Sequence, residues 1–161
     1  MPQAQEIFFA DTGAMIDGII RGDQYMKEIF SLVERGAVLM GVTHFIRSEY
    51  NLVFSQRFTH AKETITPAHL SRLAELNAYM YLYGEDGVPS NLKMVGCSQF
   101  DRNDLKFLIA AASAATKDGS SSVVTHSPRL LAKAKSLHNI SVNVLTAKNF
   151  LEKVVSPSHA H

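Results

Sequence analysis

Short apolar runs alternate along the chain with segments whose apolar positions recur every three or four residues. Ile7-Phe8-Phe9-Ala10 is a run of aromatic and β-branched residues that ends at Asp11-Thr12-Gly13, the pattern of a buried strand followed by a turn. Asp23 then precedes Tyr25, Met26, Ile29, Phe30 and Val33 at helical spacing, with Gly36 as the stop. Residues 37–42 predict a second strand, and Thr43 is placed to cap a helix that reaches about Arg57. Thr66-Pro67 opens another helix by a cap and a first-turn proline, carried by Leu70, Leu73, Ala74, Asn77, Met80 and Tyr81 to Gly84. Residues 84–96 are rich in turn formers and predict a loop with a brief strand near Met94. Residues 101–117 form a helix around Ala110-Ala111-Ala112. Residues 122–125 and 142–145 are two more strands. Ser127-Pro128 starts a helix ending near Leu137, and Thr146 caps a last helix through Val155. Residues 156–161 are expected to be a disordered tail.

This alternation predicts an α/β domain over residues 1–155, with a short, mainly parallel sheet between two layers of helices. The length of 161 residues allows one domain. Sixteen basic and 15 acidic residues give a formal charge of +1, which excludes a strongly basic nucleic-acid coat but leaves room for a local basic rim. The single cysteine, Cys97, excludes an intrachain disulfide and a cysteine-based zinc site. It reads as a buried apolar filler, and the chain as cytoplasmic. The first residues lack a basic region and a long apolar run, so no signal peptide is expected. Residues 7–20 are interrupted by Asp11 and Asp17 and are too short to span a bilayer, so no membrane association is expected.

Ligands of open parallel sheets bind beyond the carboxyl ends of the strands. Asp11 stands at one such end and Thr125-His126-Ser127 at another. In the helix from Thr43, Val42, Phe45, Ile46, Leu52 and Val53 form an apolar stripe on which Glu49 falls. In the helix from Asp101, the stripe of Phe107, Leu108 and Ala111 is extended back by Asp104, with Asp101 one further turn away. A carboxylate on a buried face is costly unless its charge is compensated by a basic side chain, helix-start donors or a metal ion. Each position also has a plainer reading. Asp101 and Asp104 suit the first turn of a helix, Glu49 can pair with Arg47, Arg72 or another base, and Asp11 can be a turn residue.

Taken together, these positions resemble the motifs of the PIN domain family, the VapC-like and PilT N-terminus-like ribonucleases. The segment Ile7-Phe8-Phe9-Ala10-Asp11-Thr12-Gly13-Ala14-Met15-Ile16-Asp17 resembles the family's opening: a hydrophobic strand, Asp-Thr, then a hydrophobic helix. Thr43-His44-Phe45-Ile46-Arg47-Ser48-Glu49 is similar to the second motif, a helix carrying one glutamate. Asp101-Arg102-Asn103-Asp104, with the alanine-rich helix that follows, is similar to the third. Val123-Val124-Thr125-His126-Ser127-Pro128 resembles the fourth, and Val144-Leu145-Thr146-Ala147 the closing strand and helix. The resemblance spans about residues 6–155.

It implies a metal-dependent endoribonuclease in which Asp11, Glu49 and Asp104, with Asp101 as a further ligand, hold Mg²⁺ or Mn²⁺, ions that prefer oxygen donors. It also implies RNA as substrate, an antitoxin protein as partner in toxin-type members, and a homodimer. Thr12, Thr125, Ser127, Arg102, Lys106 and Arg129 are the expected substrate-side residues. Two positions depart from the pattern: Gly13 stands where the family usually has Asn, removing an amide near Asp11, and Ser127 where it usually has an acid. Ser127 also reads as the cap of the helix begun by Pro128. Removing the charge of Glu49 is expected to leave the metal-free protein at least as stable, since crowded carboxylates repel. His126 lies beside the expected cleft, with a phosphate contact or a plain surface position as its two readings. Tyr79, Tyr81 and Tyr83 crowd one helix end and suit packing, an interface or base stacking. Two other functions remain: a PIN domain without turnover that acts as a binding or assembly module, and a receiver-like phosphoacceptor domain. The second needs paired acids after the first strand and an acid after the third.

Overall fold

The computed structural model describes residues 5–84 and 87–155. The expected tail at 156–161, and Glu85 and Asp86 of the expected loop, lie outside the described residues. Five strands, β1 (Glu6–Ala10), β2 (Val38–Val42), β3 (Tyr81–Leu82), β4 (Ser121–Val124) and β5 (Val142–Leu145), form one sheet in the order β3-β2-β1-β4-β5. Every pairing is parallel. β1 lies at the centre, with Phe8 opposite Met40 of β2 on one side and Ser122 of β4 on the other. Among the described residues, nine α-helices surround the sheet: α1 (Thr12–Ile19), α2 (Gln24–Glu34), α3 (His44–Phe54), α4 (Pro67–Asn77), α5 (Ser90–Val95), α6 (Arg102–Asp118), α7 (Pro128–Ala132), α8 (Ala134–His138) and α9 (Ala147–Val155). A 3₁₀ turn spans Cys97–Gln99.

The central strands read as continuous apolar runs because both of their faces are covered. Phe8 and Phe9 point to opposite faces, as successive strand residues must. The Phe8 ring meets Phe150 of α9 at 5.0 Å between centroids, and the Phe9 ring meets Tyr83 at 5.5 Å. α2 packs on α9 and on β2, while α6 packs on β1 and β4. Its alanines at 110, 111, 112 and 114 are buried, which lets the helix approach the strands closely. The expected caps are formed: Asp23, Thr43, Thr66 and Ser127 each accept a hydrogen bond from the first turn of the helix that follows.

Four expectations are corrected. The helix from Pro67 ends at Asn77, and Tyr81 and Leu82 form an edge strand beside Gly41 and Val42. The segment around Met94 is helix α5, with Leu92 buried and Met94 exposed. The helix after Ser127 breaks at Lys133 into α7 and α8. Cys97 is half-buried against the core rather than enclosed by it. Among the described residues, no helix is long and apolar enough to cross a membrane.

Candidate active site

From β1 the chain builds β2 and β3 to one side, whereas β4 and β5 lie on the other. The carboxyl ends of β1 and β4 therefore flank a topological switch point, where open α/β sheets leave a crevice. Asp11 stands in it. Its amide donates to the Val124 carbonyl at 3.0 Å, and its extended backbone makes it the cap of α1. One carboxylate oxygen accepts from the Ala14 amide at 2.8 Å, and the other accepts from the Thr125 hydroxyl. Thr125 is itself fixed: its amide donates to the Leu145 carbonyl at 2.9 Å, and its hydroxyl accepts from the Ser127 amide at 3.0 Å. Asp11 thus has two donors with glycine at position 13. A Cβ there would sit 3.6 Å from its Oδ1, an ordinary contact.

Burial pushes the Asp11 carboxyl above the usual carboxylate range. The Thr125 and Ala14 hydrogen bonds and His126 oppose that shift, and the charge of Asp104 adds to it. Asp104, in the first turn of α6, is also raised, again chiefly by burial, with Arg129 opposing and Asp101 adding. The Arg129 guanidinium stands 3.5 Å from Asp104 and 3.6 Å from Asp101. Asp101 caps α6, accepting from the Asn103 amide at 2.8 Å. Ser127 caps α7, accepting from the Leu130 amide at 3.4 Å.

Glu49 is compensated by neither of the arginines considered from sequence. One of its oxygens accepts from the Thr12 hydroxyl and the other from the Lys106 ammonium. Arg72 instead pairs with Glu34 at 2.6 Å and Glu75 at 3.0 Å, and the buried Arg47 Nε has no partner among the described residues. The stripe through Phe45 and Leu52 is corrected too: both are exposed, and α3 buries Ile46, Tyr50 and Phe54. Glu49 flanks that face next to Tyr50. The fully buried Tyr50 hydroxyl donates to the Ala10 carbonyl, which fixes the strand end directly before Asp11.

Nine of the ten sequence-predicted residues fall into two linked groups. Asp11, Thr125, Ser127, Asp104, Asp101 and Arg129 form one; Thr12, Glu49 and Lys106 form the other, joined to the first through the neighbours Asp11–Thr12 and through α6. Arg102 is exposed on α6 and takes part in no ion pair among the described residues. No three His, Cys, Asp or Glu side chains among the described residues come close enough together to share one metal ion. The donor set is nevertheless all carboxylate oxygen, and Asp11 and Asp104 stay raised by burial despite their hydrogen bonds and Arg129, a penalty that a hard divalent cation relieves.

Sequence reasoning passed over Asp17 and half-read His126. Their side chains meet, His126 Nδ1 to Asp17 Oδ2, at 2.6 Å. Arg21 holds the other Asp17 oxygen at 2.7 Å and pairs with Glu63 at 2.8 Å. The available signal was an aspartate inside the apolar α1, two turns after Asp11.

No family model matches the chain, and no curated protein matches its sequence. Among solved structures, the chain is similar in fold to a chain of VapBC2 from Rickettsia felis, a structure determined with a DNA fragment from their promoter. The TM-score is 0.52 at 13% identity, over 86% of this chain and 98% of that one. At that identity the likeness shows the shared α/β fold.

Proposed function

We propose that the chain, as one domain over residues 1–155, is a metal-dependent endoribonuclease of the PIN type that hydrolyses RNA phosphodiester bonds. The observation that carries this reading is the pair Asp11 and Asp104. Both carboxyls are lifted by burial, and each has a second acid nearby, at the switch point of a parallel sheet. Asp11 and Asp104, with Glu49 and Asp101, are the groups to hold Mg²⁺ or Mn²⁺. A bound divalent ion would activate water and neutralise charge on the phosphoryl oxygens.

The chain's own residues do the rest. Thr125 and the Ala14 amide keep Asp11 aimed into the crevice. Lys106 and Arg129 stand against its acids and, with Arg102 exposed on the same helix as Lys106, supply cations for phosphates flanking the cleaved bond, contacts that position a strand without reading its sequence. The fold likeness to VapBC2, solved with promoter DNA, supports a toxin role with an antitoxin protein as partner. A cytoplasmic location and a homodimer belong to the same reading.

A second reading, a PIN-like binding module without turnover, is favoured by Lys106 on Glu49 and Arg129 over Asp101 and Asp104. Both cations already neutralise acids that a metal ion needs. The deciding experiment is cleavage of a mixed-sequence single-stranded RNA with Mn²⁺ or Mg²⁺. Wild type should cleave, and EDTA or Asp11→Asn should abolish cleavage. Folded wild type that leaves the RNA intact overturns the nuclease reading, and an Asp11→Asn variant as active as wild type overturns the assignment of Asp11 to the site.

A further inference from the structure

The Asp17–His126 pair lies at the carboxyl edge of the sheet, beside Asp11, and the proposed reaction gives it no task. His126 follows Thr125 directly, and hydrogen bonds at Thr125 and Ser127 pin the backbone on both sides of it. The ring is pinned as well. A carboxylate only accepts, so the 2.6 Å contact places a proton on Nδ1, facing Asp17 Oδ2. Asp17 cannot turn away, because Arg21 holds its other oxygen at 2.7 Å and is in turn held by Glu63. This chain of side chains fixes the imidazole and leaves Nε2 without a hydrogen-bond partner among the described residues. The ring is 31% exposed, so that nitrogen is within reach of a ligand. With Nδ1–H committed to Asp17, Nε2 is the ring's one open position, and in the imidazolium form it is a donor. The ring also acts electrostatically on the Asp11 carboxyl, so its charge reaches the crevice.

A ring held in one orientation by Asp17, with its other nitrogen unpartnered among the described residues and close enough to act on the Asp11 carboxyl, suits an anion that must approach that acid. We propose that His126, positioned by Asp17 and Arg21, is a substrate-contacting residue whose Nε2–H donates to a non-bridging phosphate oxygen of a bound single-stranded RNA. The inference rests on the nuclease reading for its ligand class, and binding measured in EDTA separates the two.

The informative variant is His126→Asn. An asparagine amide reaches about where Nδ1 does, so it keeps the tie to Asp17 and lacks anything at Nε2. A fluorescently labelled single-stranded RNA is titrated with wild type and His126→Asn in EDTA at about pH 5.5, over a series of salt concentrations. Binding by the variant should be about tenfold weaker, the loss of one charge-assisted hydrogen bond. The slope of log affinity against log salt should fall by about 0.7, one phosphate contact on a single strand. Equal affinity and slope overturn the proposal and leave His126 as a tie between α1 and the loop after β4.

A measurement on unaltered protein guards against a variant that fails to fold. With ¹⁵N-histidine-labelled wild type, saturating RNA should shift the His126 Nε2 resonance more than its Nδ1 resonance. An unmoved Nε2 resonance overturns the proposal. If wild type cleaves RNA and these tests fail, only the role of His126 falls. If wild type neither binds nor cleaves, both readings fall.

Discussion

At the scale of single residues, the acids around the switch point divide into two kinds. Glu49 has found a lysine; Asp11 and Asp104 have not been fully compensated. Glu49 and Lys106 are about three-quarters buried, with 22% and 25% of their side chains exposed, so removing one partner leaves the other's charge partly desolvated. The metal-free protein should therefore lose about 1 kcal/mol in Glu49→Gln, the reverse of what crowding among carboxylates alone suggests. For Asp104 the sign is opposite. Its folded carboxyl binds a proton more tightly than an unfolded one, so stability is lost as pH rises from the unfolded carboxylate value through the raised one. Above the raised value that cost is complete, and Asp104→Asn removes it. Calorimetry in EDTA at pH 7 should show Asp104→Asn melting above wild type and Glu49→Gln below it. The Asp104→Asn gap should close as pH falls towards 4. A lowered melting temperature for Asp104→Asn at pH 7 would show that Arg129, 3.5 Å away, outweighs burial.

At the scale of elements, the sequence revealed helices and strands where caps and long patterns agreed, and failed where elements were short. Thr66-Pro67 marks the start of α4 plainly. Nothing marks its end at Asn77, because Met80 and Tyr81 continue the helical spacing by coincidence. Tyr79, Tyr81 and Tyr83 repeat at period two, but the edge strand covers only Tyr81 and Leu82, and both are exposed, so no inward and outward alternation marks it. A two-residue strand has too little pattern to compete with an eleven-residue helix. The positions of Asp11, Asp104 and Thr125 were legible because strand ends and helix starts are. Their partners were not, since Lys106 on Glu49 and His126 on Asp17 are contacts across 57 and 109 residues of chain. The α1–α2 contact shows the same dependence on tertiary context. Gly18 of α1 lies under α2, and a Cβ built there would sit 2.5 Å from the Phe30 ring and 2.8 Å from the Met26 Cβ. Both neighbours are buried, so neither has room to yield. Gly18→Ala should cost about 1–3 kcal/mol, a fall of several degrees in melting temperature for a chain of this size. An unchanged melting temperature would mean that α2 can move off α1, and with it that the α1 frame holding Asp11 and Asp17 is loose.

At the scale of the whole molecule, the nuclease reading becomes a statement about folding. Asp11 closes β1, Glu49 belongs to α3, and Asp101 and Asp104 open α6, so the acids are assembled only when the sheet and both helices are in place. An unfolded chain offers no such group, and an ion that binds the assembled one must stabilise the fold by mass action. The two cations set the size of the effect. A metal ion must compete with Lys106 for Glu49 and with Arg129 for Asp101 and Asp104; cations displaced from these acids are then available to phosphate. Binding should therefore be weaker for metal alone than for metal with RNA present. Scanning calorimetry with Mn²⁺ at a hundredfold excess over its dissociation constant should stabilise wild type by about 2.7 kcal/mol. The shift should be lost in Asp11→Asn, and Mn²⁺ with RNA together should raise stability by more than the sum of the two added separately. A wild type whose melting temperature is unmoved by Mn²⁺ or Mg²⁺ would mean that Lys106 and Arg129 hold their acids permanently. The same crevice would then serve as a charged docking surface rather than a centre for phosphodiester hydrolysis.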